Sequence, residues 1–315
     1  MSIMQKEPLV ILTGPTAVGK TKLSIELAKQ INGEIISADS MQVYRRMNIG
    51  TAKISEVEKE GIPHHLIDIL EPWEDFNVVS FQAYAKQAVR QILDRGKIPI
   101  VVGGTGFYIQ ALLYGIDFTE NESNMELRSR LEAESDKDGG ISLHQYLMQI
   151  DPAAAEAIHP NNRKRVIRAV EFYELTGQRI SEHNETQKQN ESVYNSSYFI
   201  LTMNREALYR RIDLRVEQML QNGLIAEVKS LLSEGCKADM ISMQGLGYKE
   251  IIRYLNNEIT LDEAVYILKR DTRHFAKRQL TWFRREREVI WLDKEKNENN
   301  LLDLCLAELK KKEII

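Results

Sequence analysis

The 315-residue sequence contains only two cysteines, Cys236 and Cys305, and neither belongs to a Cys-x-x-Cys pair or an evenly spaced framework. That scarcity excludes a small disulfide-stapled fold and a thiolate zinc site, and it makes the reducing cytosol the expected compartment. Long apolar runs are missing as well. Leu9-Val10-Ile11-Leu12, ahead of Gly14, is shorter than a signal h-region and is followed by no cleavage pattern; no stretch approaches a membrane span. A cytoplasmic chain with no membrane partner is expected. Positive charge is not in excess either, since the formal net charge is −4. A protein coated in positive potential is therefore excluded, although a nucleic-acid site needs only a local basic face. There is no internal repeat.

Apolar residues make up 43% of the sequence and charged residues 28%, the balance of a folded globular chain. The length allows two ordinary domains, or one domain carrying a large insertion. Residues 9–13 read as a buried strand that enters a Gly-rich turn, and residues 20–31 as an amphipathic helix. A second short strand spans 34–37 and stops at Asp39. Helical periodicity over 81–95 precedes another apolar strand, 98–102, which ends at Gly103-Gly104. Strands alternating with helices predict an α/β fold with a parallel sheet, whose ligands gather at the strand C-terminal ends. Gly14, Asp39 and Thr105 all fall at such ends. From Asn121 to Gln189 the pattern turns polar and helix-forming, broken at Asp151-Pro152 and His159-Pro160. We expect an all-helical insertion over 121–189 within a core of 1–120 and 190–315. Strands are expected again at 198–203 and 289–292.

The segment Gly14-Pro15-Thr16-Ala17-Val18-Gly19-Lys20-Thr21 matches G-x-x-x-x-G-K-[ST], between a strand and a helix as that motif requires. Its glycines let backbone amides wrap around a diphosphate at a helix N-terminus, Lys20 adds a full charge, and Thr21 offers a hydroxyl to Mg²⁺. The motif binds a phosphate chain without saying whose. Asp39 can cap the following turn, hold Mg²⁺ through water, or act as a general base. Strand 98–102 ends in glycines and Thr105, where hydrolytic P-loop enzymes often place an acid; the glycines permit close approach and Thr105 can bond a phosphate oxygen. His64-His65 lacks further ligands at metal spacing, so packing or hydrogen bonding is expected. Arg211 and Arg215 share a helical face, either pairing with Asp213 or Glu217 or clamping phosphate.

Two basic clusters stand out. Residues 269–287 hold eight Lys or Arg against two acids, with Arg270, Arg273, Lys277 and Arg284 expected on one face. Arg163-Lys164-Arg165 with Arg168 forms the other. Each is either a solvated helix face or an RNA contact.

In order and spacing, the phosphate loop, Ala38-Asp39-Ser40-Met41-Gln42-Val43-Tyr44, Met47-Asn48-Ile49-Gly50-Thr51-Ala52-Lys53, Pro63-His64-His65-Leu66-Ile67-Asp68 and Val102-Gly103-Gly104-Thr105-Gly106 resemble the bacterial tRNA dimethylallyltransferase family. His159-Pro160-Asn161-Asn162, Arg165-Val166-Ile167-Arg168-Ala169-Val170-Glu171, Gly245-Leu246-Gly247-Tyr248-Lys249-Glu250 and Lys277-Arg278-Gln279-Leu280-Thr281-Trp282 extend the likeness to nearly the whole chain. The resemblance implies a P-loop NTPase-like parallel sheet flanked by helices, binding dimethylallyl diphosphate instead of a nucleotide, with the helical insertion closing over a tRNA anticodon stem-loop. The implied acceptor is the exocyclic amine of the adenosine immediately 3′ of the anticodon. Residues 14–21 then bind diphosphate with Mg²⁺ on Thr21, Asp39 is the base, Thr105 lies at the reacting centre, and Lys20 and Arg215 stabilise the leaving group. The implied RNA contacts are Asp39, Ser40, Met41 and Gln42; Thr105 and Arg128; Lys164, Arg165, Val166, Ile167 and Arg168; and Gln244, Gly245, Leu246, Gly247, Tyr248 and Lys249. A monomer is expected. Three rivals remain: a P-loop small-molecule kinase, an adenylate isopentenyltransferase acting on free nucleotide, and a P-loop RNA-binding module without catalysis.

Overall fold

Leu9, Val10, Ile11 and Leu12 are at most 1% exposed, so the strand they form, β1 (Pro8–Thr13), has no solvent face and belongs in the middle of a covered sheet. The structure is a computed structural model and describes residues 6–118, 124–297 and 300–315. After β1 come α1 (Lys20–Gln30), β2 (Gly33–Ala38), α2 (Glu56–Lys59), β3 (His64–His65), α3 (Val78–Asp94), β4 (Ile98–Gly103) and α4 (Gly106–Leu113). A helical stretch follows: α5 (Met125–Asp138), α6 (Ile141–Ile150), α7 (Pro152–Ala157), α8 (Arg163–Thr176) and α9 (Ile180–Lys188). The chain then returns to the sheet with β5 (Asn195–Thr202), α10 (Arg205–Gln221), α11 (Leu224–Ser233), α12 (Tyr248–Leu255), α13 (Leu261–Phe283), β6 (Val289–Asp293) and α14 (Leu301–Lys311).

The strands form one sheet in the order β3-β2-β4-β1-β5-β6, and every adjacent pair is parallel. All C-terminal ends therefore lie on one edge. Because β4 sits between β1 and β2, with Gly103 level with both Thr13 and Ala38, the residues following these three strands are brought together. The strand not anticipated from sequence is β3. Two residues carry no alternation to read, and its place is set only by pairing of His64 with Ile35 and His65 with Ile36. Helix α3 begins at Val78, ahead of the expected position, because the Asn77 side chain accepts from the Val79 and Ser80 amides and caps it there.

Two compact units result: Met1–Leu113 with Val193–Ile315, and Tyr114–Ser192. The expected first residue of the insertion, Asn121, lies outside the described residues. The core of the helical unit gathers Leu131 from α5, Leu143 and Leu147 from α6, and Val166, Ile167, Ala169 and Val170 from α8. Both cysteines are buried and free. Among the described residues no helix is long and apolar enough to cross a membrane.

Candidate active site

The phosphate loop works through its backbone. Pro15, Ala17 and Val18 turn their side chains into the protein, while left-handed conformations at Ala17 (φ 64°) and Gly19 (φ 105°) bend the chain around the start of α1. Gly14 cannot carry a side chain, because a Cβ there would stand 2.3 Å from the Leu201 carbonyl oxygen. Lys20 is folded back on the loop, its Nζ donating to the carbonyls of Gly14 (2.9 Å) and Pro15 (3.0 Å). Burial and then the nearby Arg215 push its pKa down to about 8, against the pull of Asp39.

Helix α10 lays two arginines on this loop. Arg211 Nε donates to the Ala17 carbonyl at 2.8 Å, and Arg215 reaches the Thr16 hydroxyl at 3.4 Å. Their neighbouring acids are engaged elsewhere: Asp213 pairs with Arg273 at 2.6 Å and Glu217 with Lys269 at 2.6 Å. The surface-pairing account of Arg211 and Arg215 thus gives way to one in which both face the loop. Burial and Arg211 lower the pKa of Arg215, and Asp39 opposes them. A further cation, Lys294, follows β6 at the same sheet edge; a Cβ on Gly19 would lie 3.0 Å from its Nζ. Cations thus accumulate around a loop that presents amides, an arrangement suited to an anion.

Across from the loop, Asp39 Oδ1 accepts the Met41 amide at 2.8 Å and the Gln42 amide at 3.3 Å. The capping role is therefore real, and it occupies one oxygen only; the carboxylate keeps a second oxygen without a hydrogen bond among the described residues. Thr105 stands beside it because its amide donates to the Ala38 carbonyl at 3.2 Å. Gly103 is held against the end of β2 so closely that a Cβ would meet the Ala38 oxygen at 2.1 Å. An acidic side chain cannot occupy that strand end, so the metal-holding acid of hydrolytic P-loop enzymes has no place on it. Next to this turn, Tyr108 is buried and stacked on Phe81 with centroids 4.6 Å apart, whereas Phe107 is 40% exposed and meets Trp282 edge-on at 6.2 Å.

The family model described as IPP transferase matches residues 42–286, and the one described as isopentenyl transferase matches residues 8–68. A tRNA dimethylallyltransferase of Lachnoclostridium phytofermentans is 61% identical over 98% of this chain and 99% of its own length. The chain belongs to the tRNA dimethylallyltransferase family. A second relative of that name, from Carboxydothermus hydrogenoformans, is 54% identical over 92% of this chain and 93% of its own. Among solved structures, the tRNA isopentenylpyrophosphate transferase of Bacillus halodurans superposes with a TM-score of 0.74 at 46% identity, covering 98% of both chains. A eukaryotic dimethylallyltransferase acting on tRNA gives a TM-score of 0.82 at 31% identity, over 96% of this chain and 78% of that one.

The segments that a tRNA dimethylallyltransferase would turn toward RNA divide by burial. Ser40, Met41 and Gln42 are half-buried; Gln42 spends its side-chain amide on the Thr51 and Ala52 carbonyls, and Met41 packs so closely on Gly245 that a Cβ there would lie 2.5 Å from its methyl. Gln244 is exposed, and Gly245, Leu246 and Lys249 are partly so. Tyr248 is a correction: it is fully buried, and its hydroxyl donates to Glu227 at 2.7 Å. Glu227 also accepts the amides of Asn48, Ile49 and Gly50 at 2.8–3.0 Å, so Tyr248 shapes the loop rather than touching RNA. Gly247 is likewise buried, and its left-handed φ of 96° serves the turn into α12.

In the helical unit, Lys164, Arg165 and Arg168 are exposed on α8, while Val166 (1% exposed) and Ile167 (4%) point into its core. Those two side chains cannot reach RNA, because a helix places consecutive residues on different faces. Arg128 pairs with Glu132 and Glu171 at 3.3 and 3.5 Å.

On α13 the expected basic face is also redrawn. Arg273 and Lys269 are tied to α10 by the ion pairs above, and Arg270 to Asp271 at 2.8 Å. Of the cations left to solvent, Lys277, Arg278 and Arg285 line an open groove of about 390 Å³ together with His274, Thr281 and Trp282, whereas Arg284, of the expected face, is exposed outside it. The two adjacent histidines serve the scaffold: His65 Nε2 donates to Glu34 at 2.7 Å, and His64 Nδ1 to the Ile62 carbonyl at 2.8 Å.

Lys294 and Gln279 escaped the sequence reading as site residues. For Lys294 a signal existed, since it directly follows the last parallel strand and so had to reach the ligand edge.

Proposed function

We propose that this chain transfers the dimethylallyl group of dimethylallyl diphosphate to the exocyclic amine of the adenosine immediately 3′ of a tRNA anticodon, releasing diphosphate. The observation that carries the reading is the pairing, at one sheet edge, of an amide-and-cation cradle with a carboxylate held by its own turn. The cradle suits a diphosphate leaving group, and Asp39 suits a weakly basic amine that must lose a proton as it bonds to carbon.

The amine nitrogen forms a bond to the allylic carbon as the carbon–oxygen bond to diphosphate breaks, with the bonding pair leaving on oxygen. The proton of the amine passes to the open oxygen of Asp39. Charge growing on the diphosphate is met by the loop amides, Lys20, Arg211 and Arg215. Lys20 must leave the Gly14 and Pro15 carbonyls to do so, which the incoming anion favours. Thr105, fixed by the Ala38 carbonyl, borders the reacting centre.

Mg²⁺ fits the donors present. The oxygen donors at the loop, the Thr21 hydroxyl and the Asp39 carboxylate, are of the hard kind that suits Mg²⁺. Thr21, exposed in the first turn of α1, and Asp39 through water would hold it, and when bound it would neutralise leaving-group charge. The RNA side of the site draws on Gln244 and Lys249 and on the α13 groove; taken by itself, the helical unit offers the exposed Lys164, Arg165 and Arg168 as RNA contacts of its own. Cytoplasmic action as a monomer is part of the same reading.

The test is to supply labelled dimethylallyl diphosphate together with total tRNA or with AMP, with and without ATP. Label should enter tRNA, stay out of AMP and need no ATP. Labelled AMP would replace the reading with a free-nucleotide transferase, and ATP-dependent phosphorylation would replace it with a kinase.

A further inference from the structure

One buried amide joins the two halves of the active site. Gln279, on α13 and 7% exposed, accepts the backbone N–H of Thr16 through Oε1 at 2.9 Å and donates through Nε2 to the carbonyl of Gly104 at 2.9 Å. Thr16 belongs to the phosphate loop. Gly104 precedes Thr105, whose amide is in turn held by Ala38, the residue before Asp39. A single side chain therefore spans the donor loop and the turn next to the candidate base.

The fit leaves no slack. A Cβ on Gly104 would stand 2.1 Å from Gln279 Nε2, so glycine at 104 is required for the amide to come this near. Only a primary amide of this length has an acceptor and a donor side by side to satisfy one N–H and one C=O at once. Thr16 is also gripped from its other side by Arg215. Gln279 shares its helix with Lys277, Arg278 and Trp282, which line the exposed groove.

We infer that Gln279 is a positioning residue that sets the separation between the diphosphate and the attacking amine, and that through α13 it links RNA seated on the groove to the geometry of the phosphate loop. This rests on the transferase reading above. The consequence is specific: loss of the clamp should loosen the alignment of donor and acceptor while leaving each binding surface in place. Misplacement by about 1 Å costs on the order of 100-fold in rate.

The test uses Gln279→Met, which removes both bonds at similar volume, Gln279→Glu, which keeps the acceptor but sets a carboxylate against the Gly104 carbonyl, and Gly104→Ala, which attacks the clamp from the opposite side. Single-turnover transfer at saturating donor and tRNA, well below each melting temperature, should fall by about 100-fold. Pyrophosphate and tRNA, measured separately by titration, should bind within about threefold of wild type, and the mutual strengthening of their binding should shrink. A purely structural role predicts instead a lower melting temperature with an unchanged saturated rate. Saturated rates within twofold of wild type in any folded variant would overturn the inference while leaving the transferase reading intact. Unfolding of all three would also overturn it, making Gln279 a fold staple. An inactive wild type would remove both.

Discussion

Strand β2 carries a charge cluster at each end, and the two follow opposite rules. At its start Glu34, with a side chain 3% exposed, is surrounded by Arg95 at 2.5 Å, Lys97 at 3.0 Å and His65 at 2.7 Å. Beyond its end, Lys20, Arg211, Arg215 and Lys294 crowd a loop whose nearest carboxylate, Asp39, is committed to its own turn. The first cluster is complete: a buried anion whose hydrogen-bonding capacity is filled and which therefore ties β2, β3 and the approach to β4 together. In the second, Lys20 and Arg211 donate to loop carbonyls, and burial first and then a neighbouring arginine charge lower the pKa of both Lys20 and Arg215. An anion enclosed by its own cations marks scaffold, and a gathering of like charges around loop amides marks a site suited to an anionic group.

Breaking the complete cluster should have the largest effect. Burial alone would raise the Glu34 carboxyl, but hydrogen bonds from Arg95, His65 and Lys97 overcome it and hold the pKa at about 2. Its folded value lies below the unfolded one, so its stabilisation is fully present above about pH 4.5 and is lost as pH falls toward 2, with a size of roughly 3 kcal/mol. Glu34→Gln should lose about that much in urea unfolding at pH 7, and the deficit should narrow below pH 4.5. A deficit that is the same at pH 3 as at pH 7 would mean that packing, not charge, holds this end of the strand.

At the other end of β2, Asp39→Asn separates capping from proton transfer. Asparagine keeps an oxygen for the Met41 and Gln42 amides but accepts no proton at neutral pH. Single-turnover transfer should drop by about 100-fold while pyrophosphate and tRNA affinities hold. Recovery of the rate at high Mg²⁺ would instead make Asp39 a metal-positioning residue.

Next in size is the response of the cationic cluster to pH. Burial and then Arg215 push the pKa of Lys20 down to about 8, and a bound diphosphate favours its charged form. Donor affinity should therefore be flat below about pH 8 and fall up to tenfold per unit above it, with proton uptake on binding. Calorimetry at pH 8.5 in buffers of different ionisation enthalpy reads that uptake directly, and no difference between buffers would show that Lys20 is already charged when free.

The two ends of β2 also differ in how well the sequence revealed them. The phosphate loop, its flanking strand and helix, and the edge location of Asp39 and Thr105 were legible, because motif spacing and the parallel-sheet rule both act on local sequence. Glu34 and its partners were not, since they are separated by up to 63 positions and joined only by the pairing of β2 with β3 and β4. Tyr248, Val166 and Ile167 were placed on the RNA side by the segments they sit in, but a segment does not say which face each residue presents. Gln279 was visible as part of a motif, yet its two bonds reach back 263 and 175 residues, a distance that no local pattern encodes.

The smallest effect tests whether the same distinction between paired and spare charge holds on α13. Arg273 is bound to Asp213, whereas Lys277, one turn on, is exposed and has no acidic partner among the described residues. If spare cations are those that meet RNA phosphates, Lys277→Ala should weaken tRNA binding modestly and reduce the slope of log affinity against log salt by about 1. Arg273→Ala should leave that slope alone and lower the melting temperature, because its charge is already spent on α10. Filter binding over a salt series reads the slope, and thermal unfolding reads the stability. Equal slopes for wild type and Lys277→Ala would return the groove to a solvated helix face. A slope change in Arg273→Ala would mean that the ion pair opens when RNA arrives, and paired charge on this helix could no longer be read as scaffold.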